Sequence, residues 1–199
     1  MGRPVAEDAL ILGISGRYEF KNKGIDVFID AMGQLNRNNG LGKEVLAFIL
    51  VPAGHAGANK ELLHNLELPY QAVTSTDLYL THYLNDSAND PVMNRIRAQK
   101  LRNSEEDKVK IFFVPSYLNG DDGVLNMPYY DLLVGMDLTA FPSYYEPWGY
   151  TPLESLAFKV PTITTTLAGF GLWAGSQGEH EGVTLVARND DNYAEAARE

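Results

Sequence analysis

The sequence predicts an α/β fold, a Rossmann-like doubly wound parallel sheet with a helical insertion, on three observations. Six short apolar runs recur along the 199 residues. Helical patterns separate them, and each run gives way to a polar or Gly/Pro-rich turn. Strands linked through helices form a parallel sheet covered on both faces, so they read as unbroken apolar runs and not as alternating ones.

The elements follow in order. Residues 9–14 form the first strand, ending in Ser15-Gly16. Ile25, Phe28, Ile29, Met32 and Leu35 stand at offsets 0, 3, 4, 7 and 10, one face of a helix that closes near Asn38-Asn39-Gly40. Residues 45–51 are the second strand and stop at Pro52; 109–114 and 138–141 are the third and fourth; 160–164 and 183–186 complete the six. The interval 52–108 is too long for one crossover. It carries helical patches at 60–66 and 92–101 and reads as a mostly helical insertion projecting from the sheet. Residues 191–198 read as the start of a last helix. One domain therefore spans residues 1–199.

Composition excludes several functions. Sixteen basic against 26 acidic residues give a net charge of −10, which argues against nucleic acid or an anionic membrane as partner. With no cysteine there is no disulfide framework, thiolate nucleophile or Cys-based metal site. His55, His64, His82 and His180 form no His-x-x-x-His pair, so no metal and no cofactor is expected. The apolar runs are too short to span a bilayer and no signal peptide is evident, which predicts a soluble, cytoplasmic protein. A chain this acidic must concentrate its few cations locally if it binds phosphate.

Two segments carry the candidate chemistry. Gly16-Arg17-Tyr18-Glu19-Phe20-Lys21-Asn22-Lys23-Gly24 follows the first strand. Ligands of open parallel sheets sit beyond the carboxyl ends of the strands, where Arg17 offers a planar fork and Lys23 a point charge to phosphate. Its spacing is neither Gly-x-Gly-x-x-Gly nor a Walker loop, which makes a nicotinamide or ATPase site improbable. The second segment, residues 141–154, places Glu146 in the loop after the fourth strand and Glu154 eight residues on. Thr151 suits a helix N-cap, Pro152 the first helical position and Glu154 a capping box. Glu146 has no such structural role. Trp148, Gly149, Tyr150 and Thr151 would offer free N–H groups to a diphosphate. Tyr117 and the pair Tyr129-Tyr130 are either core rings or a platform for a nucleobase, and Asp121-Asp122 beside Gly120 and Gly123 read as turn residues.

The stretches GRYEFKNKGIDVFIDAMGQLN (residues 16–36) and YYEPWGYTPLESLAFKVPTITTTLAGFG (residues 144–171) closely resemble glycogen synthases of the animal and fungal type. That resemblance spans residues 10–171 and implies one half of a GT-B fold, the C-terminal, nucleotide-sugar-binding domain of a retaining glucosyltransferase. It implies UDP-glucose as donor and the non-reducing end of an α-1,4-glucan (glycogen) as acceptor. It assigns Arg17 and Lys23 to the diphosphate, Glu146 to the transferred glucose near its anomeric carbon, and Glu154 to the ribose. Tyr129 would stack on uracil, Tyr117 and Leu118 would line the base pocket, and Trp148, Gly149, Tyr150 and Thr151 would surround sugar and phosphates. The insertion falls where the family carries helices used in tetramer assembly, so a homo-oligomer through it is expected. The acceptor-binding N-terminal domain is missing, so the 199 residues alone are expected to bind UDP weakly and transfer nothing. Where the family enters an arginine-rich activator helix, residues 186–192 hold one arginine and two aspartates, so glucose-6-phosphate control is not expected. The competing readings are a retaining GT-B transferase with another donor, such as ADP-glucose or sucrose, and a non-catalytic oligomerisation module.

Overall fold

The computed structural model describes residues 4–38, 40–69, 79–178 and 181–198. Six parallel strands, β1 (Leu10–Ser15), β2 (Val45–Leu50), β5 (Val109–Val114), β6 (Leu138–Ala140), β7 (Thr162–Thr165) and β8 (Val183–Val186), form the main sheet. Its order is β5-β2-β1-β6-β7-β8. Counted within this sheet alone, the strands run 3-2-1-4-5-6, the doubly wound Rossmann order, and the side on which successive strands are added reverses between β1 and β6. Each strand lies within two residues of its apolar run, because burial on both faces leaves no other place for such a run.

Helix α1 (Ile25–Arg37) buries Ile25, Phe28, Ile29 and Met32, the stripe expected of it, in the core it shares with β5 and the helix at residues 91–98. Gly24 caps it in the left-handed region at φ 69°. The other helices are α4 (Tyr129–Leu133), α5 (Tyr150–Ala157), α6 (Gly169–Ser176) and α7 (Tyr193–Ala196). Helix α7 is shorter than the eight-residue start expected over 191–198. Among the described residues, no helix is long and apolar enough to cross a membrane.

The segment 52–108 differs from expectation in two ways. Besides helices α2 (Lys60–Glu67) and α3 (Pro91–Ala98), it holds an antiparallel ribbon of β3 (His55–Ala58) and β4 (His82–Leu84). Nor does it project from the sheet. Leu80 bridges Phe113 in parallel beside β5, and α3 sinks Val92, Met93 and Ile96 into the same core as α1. Apolar burial of three side chains, about 1.5–3 kcal/mol each, is what pulls this helix inward. Residues 70–78 of the insertion, and His180, lie outside the described residues.

Asp30 on α1 ties the insertion down. Its carboxylate accepts from Arg95 Nε at 2.6 Å, from Arg95 Nη2, from Gln99 Nε2 at 2.6 Å and from the Tyr193 hydroxyl at 2.9 Å. One acceptor thus joins α1, α3 and α7. Asp30→Ala strands these donors and is expected to cost about 2–4 kcal/mol. Partial exposure of Arg95 keeps the loss from the upper end of the range for buried pairs. For a domain of this size that is a fall in Tm of roughly 5–12 °C, read by calorimetry. A fall of less than about 2 °C would remove the anchor role.

Candidate functional site

The loops that follow β1 and β6 meet where the strand order reverses. Gly24 makes that approach possible: a Cβ there would stand 2.0 Å from the Pro142 carbonyl oxygen. The loop after β1 folds on itself through Lys23 N–H to Glu19 O (2.8 Å) and Gly24 N–H to Lys21 O (3.0 Å). Tyr144 N–H then donates to Asn22 O at 2.8 Å, fastening the two loops together. Lys23 Nζ and Glu146 Oε2, 123 residues apart, form an ion pair with both side chains largely out of solvent. Arg17 is different. Its guanidinium is 76% exposed and contacts Glu19 Oε1 at 3.0 Å, an arrangement a stronger anion can displace.

Glu146 is held by its backbone. Its N–H donates to Leu167 O (3.2 Å), and its carbonyl accepts from Gly169 N–H (3.1 Å). Phe170 N–H donates to Trp148 O at 2.6 Å, and the Trp148 ring rests 6.2 Å from both Phe170 and Trp173. Close packing again needs glycine here, since a Cβ on Gly169 would meet Pro147 O at 2.2 Å. The carboxylate beside Lys23 is therefore fixed from behind by the loop leading from β7 into α6.

A cleft of about 270 Å³ opens beside these loops. Tyr117, Leu118, Tyr129 and Thr151 line it, together with Ser15 and Gly16 at the end of β1. Tyr117 is 77% exposed, so it is not the core ring that aromatic residues commonly become. Tyr129 is half-buried with its hydroxyl 2.7 Å from Ser15 Oγ. Burial pushes the Tyr129 phenol above its ordinary value, so it stays neutral. Gly16, the first residue of the candidate phosphate segment, thus also borders the cleft, and Ser15 joins it as a cleft residue that only its place at the end of the first strand marks.

The start of α5 corrects one expectation. Gly149, at φ 95°, occupies the cap position; Thr151 and Glu154 fall inside the helix, and no side chain caps it. The left-handed glycine lets the chain turn into the helix two residues earlier than a threonine cap at Thr151 would. Glu154 is thereby freed from a capping box and accepts from the Tyr130 hydroxyl at 3.1 Å. That bond raises the Tyr130 phenol. Tyr150 is 69% exposed at the first helical position. Asp122 does behave as a turn residue, accepting from the N–H groups of Val124, Leu125 and Asn126.

The stretch 186–192 has a structural task that its charge concealed. Arg188 is nearly buried, donates through Nη1 to the Pro142 carbonyl and lies over the Tyr144 ring at 5.4 Å. Asp190 accepts from the Tyr144 hydroxyl. Both thus buttress the loop that carries Glu146. Among the described residues, no group of three or more His, Asp or Glu side chains is placed to hold a metal ion.

A family model described as glycogen synthase matches residues 5–76 and 68–197. The chain is 32% identical to glycogen [starch] synthase isoform 2 of Saccharomyces cerevisiae, over 92% of its own length and 35% of the yeast protein. It is 31% identical to the liver glycogen [starch] synthase of Rattus norvegicus, over 83% and 30% of the two chains. It thus spans about a third of the length of these relatives. Among solved structures, apo OtsA superposes with a TM-score of 0.57 at 9% identity, covering 96% of this chain and 35% of that one. At that identity the likeness concerns the fold alone.

Proposed function

This chain belongs to the glycogen synthase family, and we propose that it is the donor-binding half of a glucosyltransferase that moves glucose from UDP-glucose to the non-reducing end of an α-1,4-glucan with retention of configuration. The observation that carries this reading is the Lys23–Glu146 pair at the strand-order reversal, next to a cleft bordered by aromatic rings. In this reading the carboxylate meets the glucose, the cation the diphosphate and the aromatic cleft the nucleobase, the order in which those groups follow along UDP-glucose.

In this reading the C1–O bond of the donor breaks, and its electron pair leaves on the β-phosphate oxygen. Arg17, Lys23 and the uncapped amides at the start of α5 offset that charge. The acceptor hydroxyl attacks C1 from the face the phosphate leaves, and its proton passes to the departing phosphate oxygen. Phosphate draws Lys23 away from Glu146, so the carboxylate turns to the glucose as the donor arrives. Glu154 takes the ribose, Tyr129 the uracil face, and Tyr117 and Leu118 the edges of the base. The two glutamates serve different parts of one donor. In retaining glycosidases, by contrast, two carboxylates flank a single bond.

Calorimetry with UDP tests this on the 199-residue chain. UDP is expected to bind, and Arg17→Ala to weaken it roughly ten- to hundred-fold, the worth of charge-assisted hydrogen bonds to phosphate. ADP in the same titration separates the donors, since a chain that prefers ADP uses another nucleotide sugar. Equal binding by wild type and Arg17→Ala would sink the phosphate-loop assignment.

A further inference from the structure

We propose that the insertion is a strut that positions both ligand-contacting loops of the nucleotide site, with Tyr18 and His82 as the positioning residues. This rests on the donor-binding reading above and assigns the insertion a role within one chain, whatever it does between chains.

The first tie reaches the cationic loop. Tyr18 follows Arg17 directly, and its hydroxyl donates to Asp90 Oδ2 at 2.5 Å. Asp90 is the N-cap of α3 and also accepts from Met93 N–H at 3.0 Å. The cap cannot drift, because the next turns of α3 are in the core and Arg95 is bonded to Asp30. The Tyr18 ring leans on Phe113 at 6.0 Å. Arg17 is thus exposed on a backbone whose next side chain is bonded into the insertion.

The second tie reaches the base loop. Residues 118–129 leave and return to one place: Asn119 bridges Pro128, and Tyr129 N–H donates to Leu118 O at 3.0 Å. At its far end Asp122 gathers three backbone N–H groups, and the Asp122 carbonyl accepts from His82 Nε2 at 2.8 Å. A carbonyl can only accept, so Nε2 carries the proton. His82 is fully buried on β4, with Nδ1 2.8 Å from the Thr81 hydroxyl and its ring against His55 at 4.7 Å. Thr81 N–H donates to Phe113 O at 3.2 Å, which fixes β4 to the edge of the main sheet. A buried histidine of the insertion therefore holds the loop that begins at Tyr117 and Leu118.

The two ties act on different ends of the ligand, which makes them separable. Amide exchange reads the loops without any ligand. His82→Leu is expected to speed exchange at Val124, Leu125 and Asn126 about three- to ten-fold, and Tyr18→Phe to do so at Lys23 and Gly24, with core strands unchanged. His82→Gln, which restores an N–H donor, should return the first set toward wild type. Calorimetry on the same proteins should show His82→Leu weakening UDP about three- to ten-fold while sparing pyrophosphate, and Tyr18→Phe weakening both. Unchanged exchange in both loops, or faster exchange spread evenly over the core, overturns the strut. If the local exchange pattern appears but wild type binds no UDP, the strut stands and the UDP reading falls.

Discussion

Lys23→Ala in the full-length enzyme is expected to slow glucosyl transfer roughly 100- to 1,000-fold, the usual cost of removing one fixed donor from a charge that develops in the transition state. The substitution should also lower stability, because it leaves the Glu146 carboxylate, largely out of solvent, without its cation. About 1–3 kcal/mol is the expected penalty for such a stranded group. A companion variant separates the two effects. Lys23→Met combined with Glu146→Gln removes both charges, and stability should recover toward wild type while transfer stays lost. A double variant with near wild-type transfer would show that the pair is a structural clasp and that the cationic role lies elsewhere.

How visible this pair was in the sequence shows where such reading stops. Each partner was legible alone: Lys23 as a cation after the first strand, Glu146 as a carboxylate with no structural excuse. Their contact spans 123 residues and depends on the loops of β1 and β6 meeting, which only the strand order determines. The strands themselves were legible because six apolar runs between helical patterns have few other places to go. The β3–β4 ribbon was not. His-Ala-Gly-Ala and His-Tyr-Leu are too short to alternate, and they pair only because the insertion lies along the sheet edge.

Local rules misled where a long-range fit took precedence. Thr151, Pro152 and Glu154 obey every preference of a helix start, yet Gly149 enters the left-handed region and the helix begins at Tyr150. The gain lies across the molecule: the early turn leaves Glu154 within reach of the Tyr130 hydroxyl. The acidic look of residues 186–192 hid Arg188 in the same way. Its buried bond to the Pro142 carbonyl reaches back 46 residues to the loop that carries Glu146.

Pro142 is also where the largest effect on folding is expected. Gly24→Ala places a methyl carbon 2.0 Å from the Pro142 carbonyl oxygen and 2.5 Å from its carbon, backbone atoms that no side-chain rotation can clear. The position is left-handed as well, φ 69°, which costs an alanine about 1–2 kcal/mol before any clash. Forcing the loops apart adds about 1–3 kcal/mol. The total of about 2–5 kcal/mol corresponds to a Tm lowered by roughly 5–15 °C. Two controls divide strain from contact. Gly178 has φ 101° with nothing within 4 Å of its imagined Cβ, so Gly178→Ala should cost only the backbone strain. Gly42 has open space and an ordinary φ, and Gly42→Ala should leave Tm unchanged. The same separation of loops would move Lys23, the residue before Gly24, away from Glu146, so Gly24→Ala should weaken UDP as well as stability. Gly24→Ala within about 2 °C of wild type would mean that the two loops do not meet as closely as the ion pair requires.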